Sequence, residues 1–357
     1  MNIKTIIKIL RETKYIRSVL KKYGDSLVCG IYYQHKSFRA LSLDEPEIRE
    51  RARIYFDKGG SGKRMQSVAK ALNKIHFFKN KNKRSSEEYE GFYSANNYDK
   101  IREIKLFSFK RNKILTICTS PDEMQKQIDQ YKIFGSAYNM PSVKKNNKYG
   151  NSFEISMIDL KKYIGERFAF ENIIRSTIAY NPCPKELILT SVKDLTAFSC
   201  KNEEQRFYMT KLVEKIDPSL MDMTIPSCIQ HGDLSKDNLL YGECDGKVDF
   251  WWIDWEHAGN RVFFYDLFFY MVNSALFGDS VALNHYVNGD IDKEMSDYFS
   301  HFGLVYDKKY RFDYLLIFMI PFLVERVCPN ATTTALKQYY EIIEIIGVCK
   351  EGEKNEA

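Results

Sequence analysis

Apolar residues at the start of the chain recur at helical spacing. Ile3, Ile6, Ile7 and Leu10 share a face, and Lys4, Lys8, Arg11 and Lys14 surround it. The spacing predicts a helix over 2–22, either packed on its own protein or lying on a membrane surface. Met65, Val68, Ala69, Leu72 and Ile75 predict a second helix over 61–78. The polar run "KNKNKRSSEE" then marks the clearest boundary in the chain. Beyond it the pattern changes. "IREIKLFSFK" and "KILTIC" read as strands around an Arg111-Asn112 turn. "SPDEMQKQIDQYKIFGSA" reads as a helix capped by Ser120 with Pro121 at its first position. "SFEISMIDL" is another strand. From about residue 160 the pattern is mainly helical, interrupted by Pro182, Pro184 and Pro218. "KELILTSVKDL" and "EEQRFYMTKLVEKI" both have helical spacing. "YLLIFMIPFLV", from Tyr314, is too short to cross a bilayer and reads as a buried helix. No repeat is visible. The expectation is an α+β chain in three parts: a helical segment of unassigned role at 1–84, a small β-rich part at 85–160, and a larger helical part at 161–350.

Composition narrows this picture slightly. With 357 residues and 44% hydrophobic content the chain can build more than one core. A net charge of +6 and a pI near 8.6 suit phosphorylated ligands or an anionic surface, and fall short of a nucleic-acid footprint. The eight cysteines are scattered, with no CxxC pair, which predicts reduced thiols and a cytoplasmic protein. The first residues lack the uninterrupted apolar stretch and small-residue site of a signal peptide. A phosphate-loop reading of "DKGGSGKRM" fails on its mechanics. Asp57 stands where the first glycine belongs, and Arg64 where the metal-binding Ser or Thr belongs.

The densest chemistry lies in "HGDLSKDNLL" and the following "YGECDGKVDFWWIDWE". Asp245-Gly246 is a favoured hairpin turn pair between two strand-like runs. Such a hairpin brings Asn238, before its first strand, close to Asp254, after its second. Asp233 lies five positions before Asn238 in the same loop. Three oxygen-bearing side chains then converge. Magnesium prefers hard oxygen ligands and keeps room for substrate phosphates. Phosphoryl transfer requires this set: one carboxylate for the attacking hydroxyl, and an amide oxygen with a second carboxylate for the metal.

These motifs resemble the catalytic loop and metal-binding segment of kinase-like phosphotransferases, in the choline kinase and aminoglycoside phosphotransferase branch. His-Gly-Asp, the five-residue step to Asn238, and "WIDWEHAGNRVFFYDL" with Asp254, Glu256, Ala258, Gly259, Asp266 and Leu267 carry the resemblance. It implies a two-lobed protein-kinase-like fold, with 1–84 as an extra segment, and transfer of the γ-phosphoryl group of ATP to a small-molecule hydroxyl with magnesium. An amino alcohol or a sugar is the expected acceptor, and the basic charge and the N-terminal helix are compatible with a role in cell-envelope or surface-polysaccharide synthesis. By position, Asp233 is the base, and Asn238 and Asp254 are the metal ligands. His231 braces the loop, and Asp266 holds its backbone. Glu256 supports the metal through water or contacts the substrate. Lys236 touches the transferred phosphate or is a solvated surface lysine. Nucleotide contacts are expected from the strand containing Glu154, Ile155 and Met157, and from Lys105 or Lys113 with Glu123 as ion-pair partner. The chain departs from the family at two points: "GFYSANNYD" has one glycine, and "KILTIC" has no central lysine. Those departures keep a second reading open, a pseudokinase that binds nucleotide or a partner without turnover. A protein kinase is disfavoured, because "WIDWEHAG" has no Asp-Phe-Gly and no Ala-Pro-Glu segment follows. Trp251, Trp252, Trp255 and Tyr265 could form a cage for a cationic acceptor, but core packing is the commoner fate of such rings.

Overall fold

The structure, a computed structural model, describes residues 3–36, 39–57, 63–82, 88–97, 100–146, 148–183, 187–200, 202–328, 337–341 and 343. The glycine-rich stretch at 58–62, half of the polar run (83–87) and Pro184 lie outside the described residues.

The chain divides into two compact units. The first comprises Met1–Ile133, Met140–Lys162 and Tyr241–Asp249; the second comprises Phe134–Asn139, Tyr163–Leu240 and Phe250–Ala357. The first unit is built on an eight-stranded antiparallel sheet of order β3-β1-β2-β4-β5-β6-β8-β7. Its strands are β1 (Gly30–Gln34), β2 (Ala40–Leu43), β3 (Phe78–Asn80), β4 (Gly91–Asn97), β5 (Lys100–Ser108), β6 (Lys113–Cys118), β7 (Val143–Asn146) and β8 (Ser152–Ser156). The helices α1 (Ile3–Tyr23), α2 (Pro46–Phe56) and α3 (Lys63–Lys74) precede β4, and α4 (Pro121–Phe134) follows β6. Ser120 caps α4 as expected, its Oγ accepting from the Glu123 N–H at 3.2 Å, with Pro121 at the first position.

Residues 1–84 depart from the helical segment that the sequence predicts. They contribute three strands to the same sheet. Ile16, Val19 and Leu20 of α1, Leu41 of β2, Phe56 of α2, Phe92 of β4 and Leu115 of β6 belong to one buried cluster. All four residues of β2, "ALSL", are buried, so the strand has no polar alternation to betray it. The second helix ends at Lys74, short of 78. His76 has φ 47°, and Phe78 opens β3. Helix α1 uses two faces. Ile16, Val19, Leu20 and Tyr23 are buried in the core, whereas Ile6, Ile7 and Leu10 are 38%, 43% and 62% exposed.

The second unit is mainly helical: α5 (Glu166–Tyr180), α6 (Val192–Leu195), α7 (Glu203–Val213), α8 (Tyr265–Leu276), α9 (Val281–Val287), α10 (Asp292–His301) and α11 (Arg311–Phe322). Helix α11 is buried nearly all round, as its continuous apolar run predicts. Pro321 near its end removes a helical donor, and a π-turn, Leu323–Val327, follows. "KELILTSVKDL" is not one helix. Its Ile188–Ser191 form strand β10, and Ser191 caps the short α6. Pairing with β11 (Thr224–Gln230) overrides the helical spacing there. Strand β14 (Gly259–Val262) completes that three-stranded sheet; β9 (Asp159–Leu160), β12 (Leu239–Cys244) and β13 (Lys247–Trp252), most of whose residues belong to the first unit, form another. The predicted hairpin is present. Asp245 and Gly246 have φ 51° and 78°, the paired positive values of a type I′ turn. The described cysteines are all free.

Candidate active site

The loop from His231 to Asn238 leaves β11 and enters β12, within the helical unit. Its shape is fixed from beneath by Asp266 in the first turn of α8. The Asp266 carboxylate accepts the His231 N–H at 2.6 Å and the Gly232 N–H at 2.8 Å. Burial pushes this carboxyl up to about 6, against the pull of those two N–H groups. Gly232 turns the chain at φ 79°, and a Cβ there would lie 2.4 Å from the His257 carbonyl.

His231 is fully buried, and its partners define its state. Nε2 faces the Ile253 carbonyl at 2.8 Å, and that oxygen can only accept, so Nε2 carries the proton. Nδ1 accepts the Asp233 N–H at 3.3 Å. Burial, with cationic neighbours Arg261 and Arg326 adding to it, lowers the imidazole to about 4. His231 is therefore held neutral within the loop, each ring nitrogen engaged by backbone. Trp255 packs on it at 4.8 Å between ring centroids, and Phe134 stacks on Trp255 at 4.0 Å. Trp252, Trp255 and Tyr265 are all at most 2% exposed, so these rings are core and not a cage.

Asp233 and Asn238 meet. The Asn238 Nδ2 donates to the Asp233 carbonyl at 2.8 Å and lies 3.4 Å from its carboxylate Oδ2. Burial raises the Asp233 carboxyl, and the nearby Glu256 charge adds to this; Arg326 and His257 oppose it. The Ile253 N–H donates to the Asn238 carbonyl at 3.0 Å, which brings Asp254 to the same end of the hairpin. Asp254 is held in the left-handed region at φ 65°, an uncommon conformation for a residue with a side chain. The amide of Asn238 spends its NH2 end on Asp233, so its acceptor end is the carbonyl oxygen. A hard amide oxygen here and the Asp254 carboxylate at the same hairpin end are the kinds of ligand magnesium takes, with phosphate and water completing its shell. Among the described residues no group of three His, Cys, Asp or Glu side chains forms a self-contained metal cage.

No protein-family model and no curated protein matches the sequence. Solved structures similar to this chain include small-molecule phosphotransferases. Aminoglycoside phosphotransferase APH(4)-Ia superposes with a TM-score of 0.45 and 11% identity, over 71% of this chain and 92% of its own. The GDP complex of aminoglycoside 2'-phosphotransferase-IIIa gives 0.44 and 14%, over 81% and 99%. Amicoumacin kinase hAmiN, in complex with AMP-PNP, Ca2+ and Ami, gives 0.40 and 12%, over 80% and 96%. Likeness this distant carries no residue role and no substrate from those proteins to this one.

The remaining predicted residues divide. Glu256 is half exposed, with its carboxylate 3.3 Å from His257. Lys236 is ion-paired with Glu166 and, at 2.7 Å, with Asp279. In the β-rich unit, Lys113 pairs with Glu154 at 3.5 Å, and Glu154 also accepts from Asn146 at 3.1 Å. Lys105 pairs with Glu103 at 2.8 Å and stands directly opposite Thr116, the buried centre of "KILTIC". Burial alone would raise Glu103, but Lys105 and Gln127 of α4 hold it below the usual range. Glu123 accepts instead from Thr119, four residues before it. In the strand expected to contact nucleotide, Met157 has its backbone donor in use. Its N–H donates to Asn112 at 2.8 Å, and the Ser156 N–H donates to Ser142 at 3.0 Å, so the protein itself uses both donors.

Sequence reading missed Arg326, Glu166 and Asp279. Arg326 donates to the Gly232 carbonyl at 2.7 Å and lies 3.9 Å from the Asp233 carboxylate. Its one sequence signal is a cation closing an apolar run.

Proposed function

We propose that this chain is an ATP- and magnesium-dependent phosphotransferase acting on a hydroxyl of a small molecule. The observation that carries the reading is the Asp233–Asn238 contact, with Asp254 tied to the same hairpin end. Asp233 accepts the acceptor's hydroxyl proton as the oxygen attacks the γ-phosphorus, and the bond to the β–γ bridging oxygen breaks to release ADP. Desolvation of Asp233 strengthens it as a proton acceptor, while Arg326, 3.9 Å away, favours its charged form. Asn238 and Asp254 would hold magnesium, which when bound neutralises charge on the transferring phosphates. His231, Gly232 and Asp266 keep the loop rigid and exclude water beneath it. Lys105, opposite Thr116, is the better-supported lysine for the nucleotide phosphates. The acceptor class we favour is an amino alcohol or a sugar.

The pseudokinase reading draws on Thr116 and on the Met157 N–H already in use. Turnover separates the two. Asp233→Asn should lower kcat by roughly 10² to 10⁴, the usual worth of general acid–base catalysis, with nucleotide affinity little changed. Normal turnover in this variant, or no ATP consumption by the native chain across amino alcohols, sugars and aminoglycosides, defeats the proposal.

Among the described residues no helix is long and apolar enough to cross a membrane. Exposed Ile6, Ile7 and Leu10, beside exposed Lys8, Arg11 and Lys14, support contact of α1 with an anionic membrane surface.

A further inference from the structure

Lys236 lies inside the loop between Asp233 and Asn238, where the sequence suggests a phosphate contact. Its ammonium is engaged elsewhere in the same unit. It donates to Glu166, the first residue of α5, and to Asp279 at 2.7 Å, in the turn between α8 and α9. The Glu166 side chain is only 6% exposed and also accepts from the hydroxyls of Tyr163 and Tyr270, each at 2.9 Å. Those two hydroxyls are 2.6 Å apart, and the rings flank the ammonium at 5.2 and 5.9 Å. Burial disfavours a charged lysine, yet the hydrogen bonds to Asp279 and Glu166 raise its pKa. A buried carboxylate with two phenols is not balanced without this cation, and removing one member of such a set is costly.

The loop transmits that anchor. The N–H groups of Asn238 and Leu239 both donate to the Ser235 carbonyl at 2.9 Å, and the Ser235 N–H donates to the Asp233 carbonyl at 2.9 Å. One tight turn therefore links Lys236 to Asp233 on one side and Asn238 on the other. We propose that Lys236 is a positioning residue: through Glu166 and Asp279 it pins the turn that sets Asp233 against Asn238. Its effect on turnover rests on the phosphotransferase reading; its effect on the loop does not.

The test compares the full chain with Lys236→Met, Lys236→Arg and Glu166→Gln, by amide hydrogen exchange and by steady-state kinetics. In Lys236→Met, exchange at Asn238 and Leu239 should rise by about ten- to a hundredfold, while the β11 amides stay protected. Lys236→Arg should recover part of that protection, since a guanidinium can still reach both carboxylates. Glu166→Gln, which keeps the shape, should loosen the same two amides and decides the matter if Lys236→Met does not fold. With turnover, kcat should fall while the nucleotide KM stays within about threefold, because the anchor faces no phosphate. Unchanged exchange in Lys236→Met overturns the proposal. So does a nucleotide KM that rises with kcat intact, the signature of a direct phosphate contact. Absence of turnover in the native chain counts against the phosphotransferase reading alone, and the exchange comparison still decides the anchor.

Discussion

Substituting alanine at two glycines isolates the packing that shapes the candidate loop. Gly232 and Gly246 have nearly the same left-handed backbone, φ 79° and 78°. A Cβ at Gly246 meets nothing within 4 Å, whereas at Gly232 it would lie 2.4 Å from the His257 carbonyl and 2.6 Å from Arg261. Gly246→Ala should therefore cost only the left-handed penalty, about 1–2 kcal/mol. Gly232→Ala carries that same penalty and must also move the loop. The bonds at risk are those to Asp266 at 2.6 and 2.8 Å and from Arg326 at 2.7 Å. Charge-assisted hydrogen bonds contribute roughly 1.5–3 kcal/mol each, so loss of even one brings the total to about 3–5 kcal/mol. All three tryptophans lie between 251 and 255, so urea unfolding followed by their fluorescence reports on this region. Turnover should fall in Gly232→Ala and persist in Gly246→Ala. Equal destabilisation of the two variants would refute the contact between Gly232 and His257, and with it the account of why the loop needs glycine.

Three further outcomes are expected. Asp254→Asn keeps a residue that tolerates φ 65° and removes the charge, so magnesium-dependent turnover should disappear while the unfolding midpoint holds; near-native activity would exclude Asp254 as a metal ligand. His231, lowered from 6.5 to about 4, takes up its proton in the unfolded state first, so its share of stability is present above pH 6.5 and is lost as pH falls toward 4. That share is about 2 kcal/mol between pH 7 and pH 5, and the difference in urea stability between wild type and His231→Asn should shrink by that amount over the same range. Asp266, raised to about 6, works in the opposite sense over the same window in both proteins and drops out of the comparison. For α1, the chain should sediment with vesicles containing anionic lipid and not with neutral ones, and Ile7→Asp with Leu10→Asp should abolish this; binding that ignores both lipid charge and the substitutions would refute a membrane-surface role.

Local chemistry made part of this protein legible from its residues alone. Asp245-Gly246 specifies its hairpin turn because glycine and residues with short polar side chains such as Asp or Asn accept positive φ values most readily. Ser120-Pro121 specifies the start of α4. The five-residue step from Asp233 to Asn238, with the turn beyond it, brings Asp233 and Asn238 into contact through the geometry of one tight loop. The apolar run around Leu316 specifies a buried helix. Tertiary structure decided the rest. Strand β2 is covered on both faces and so has no alternation, and β10 exists because β11 offers it a partner. Lys236 finds its carboxylates 70 and 43 residues away, and Arg326 reaches Gly232 across 94. A turn, a cap or a helical stripe is encoded in neighbouring residues, whose dihedral preferences act before the chain collapses. The partner of a charge such as Lys236 or Arg326 is encoded nowhere near it. It is whichever side chain the packed helices bring within a few ångströms, and only the folded chain determines that.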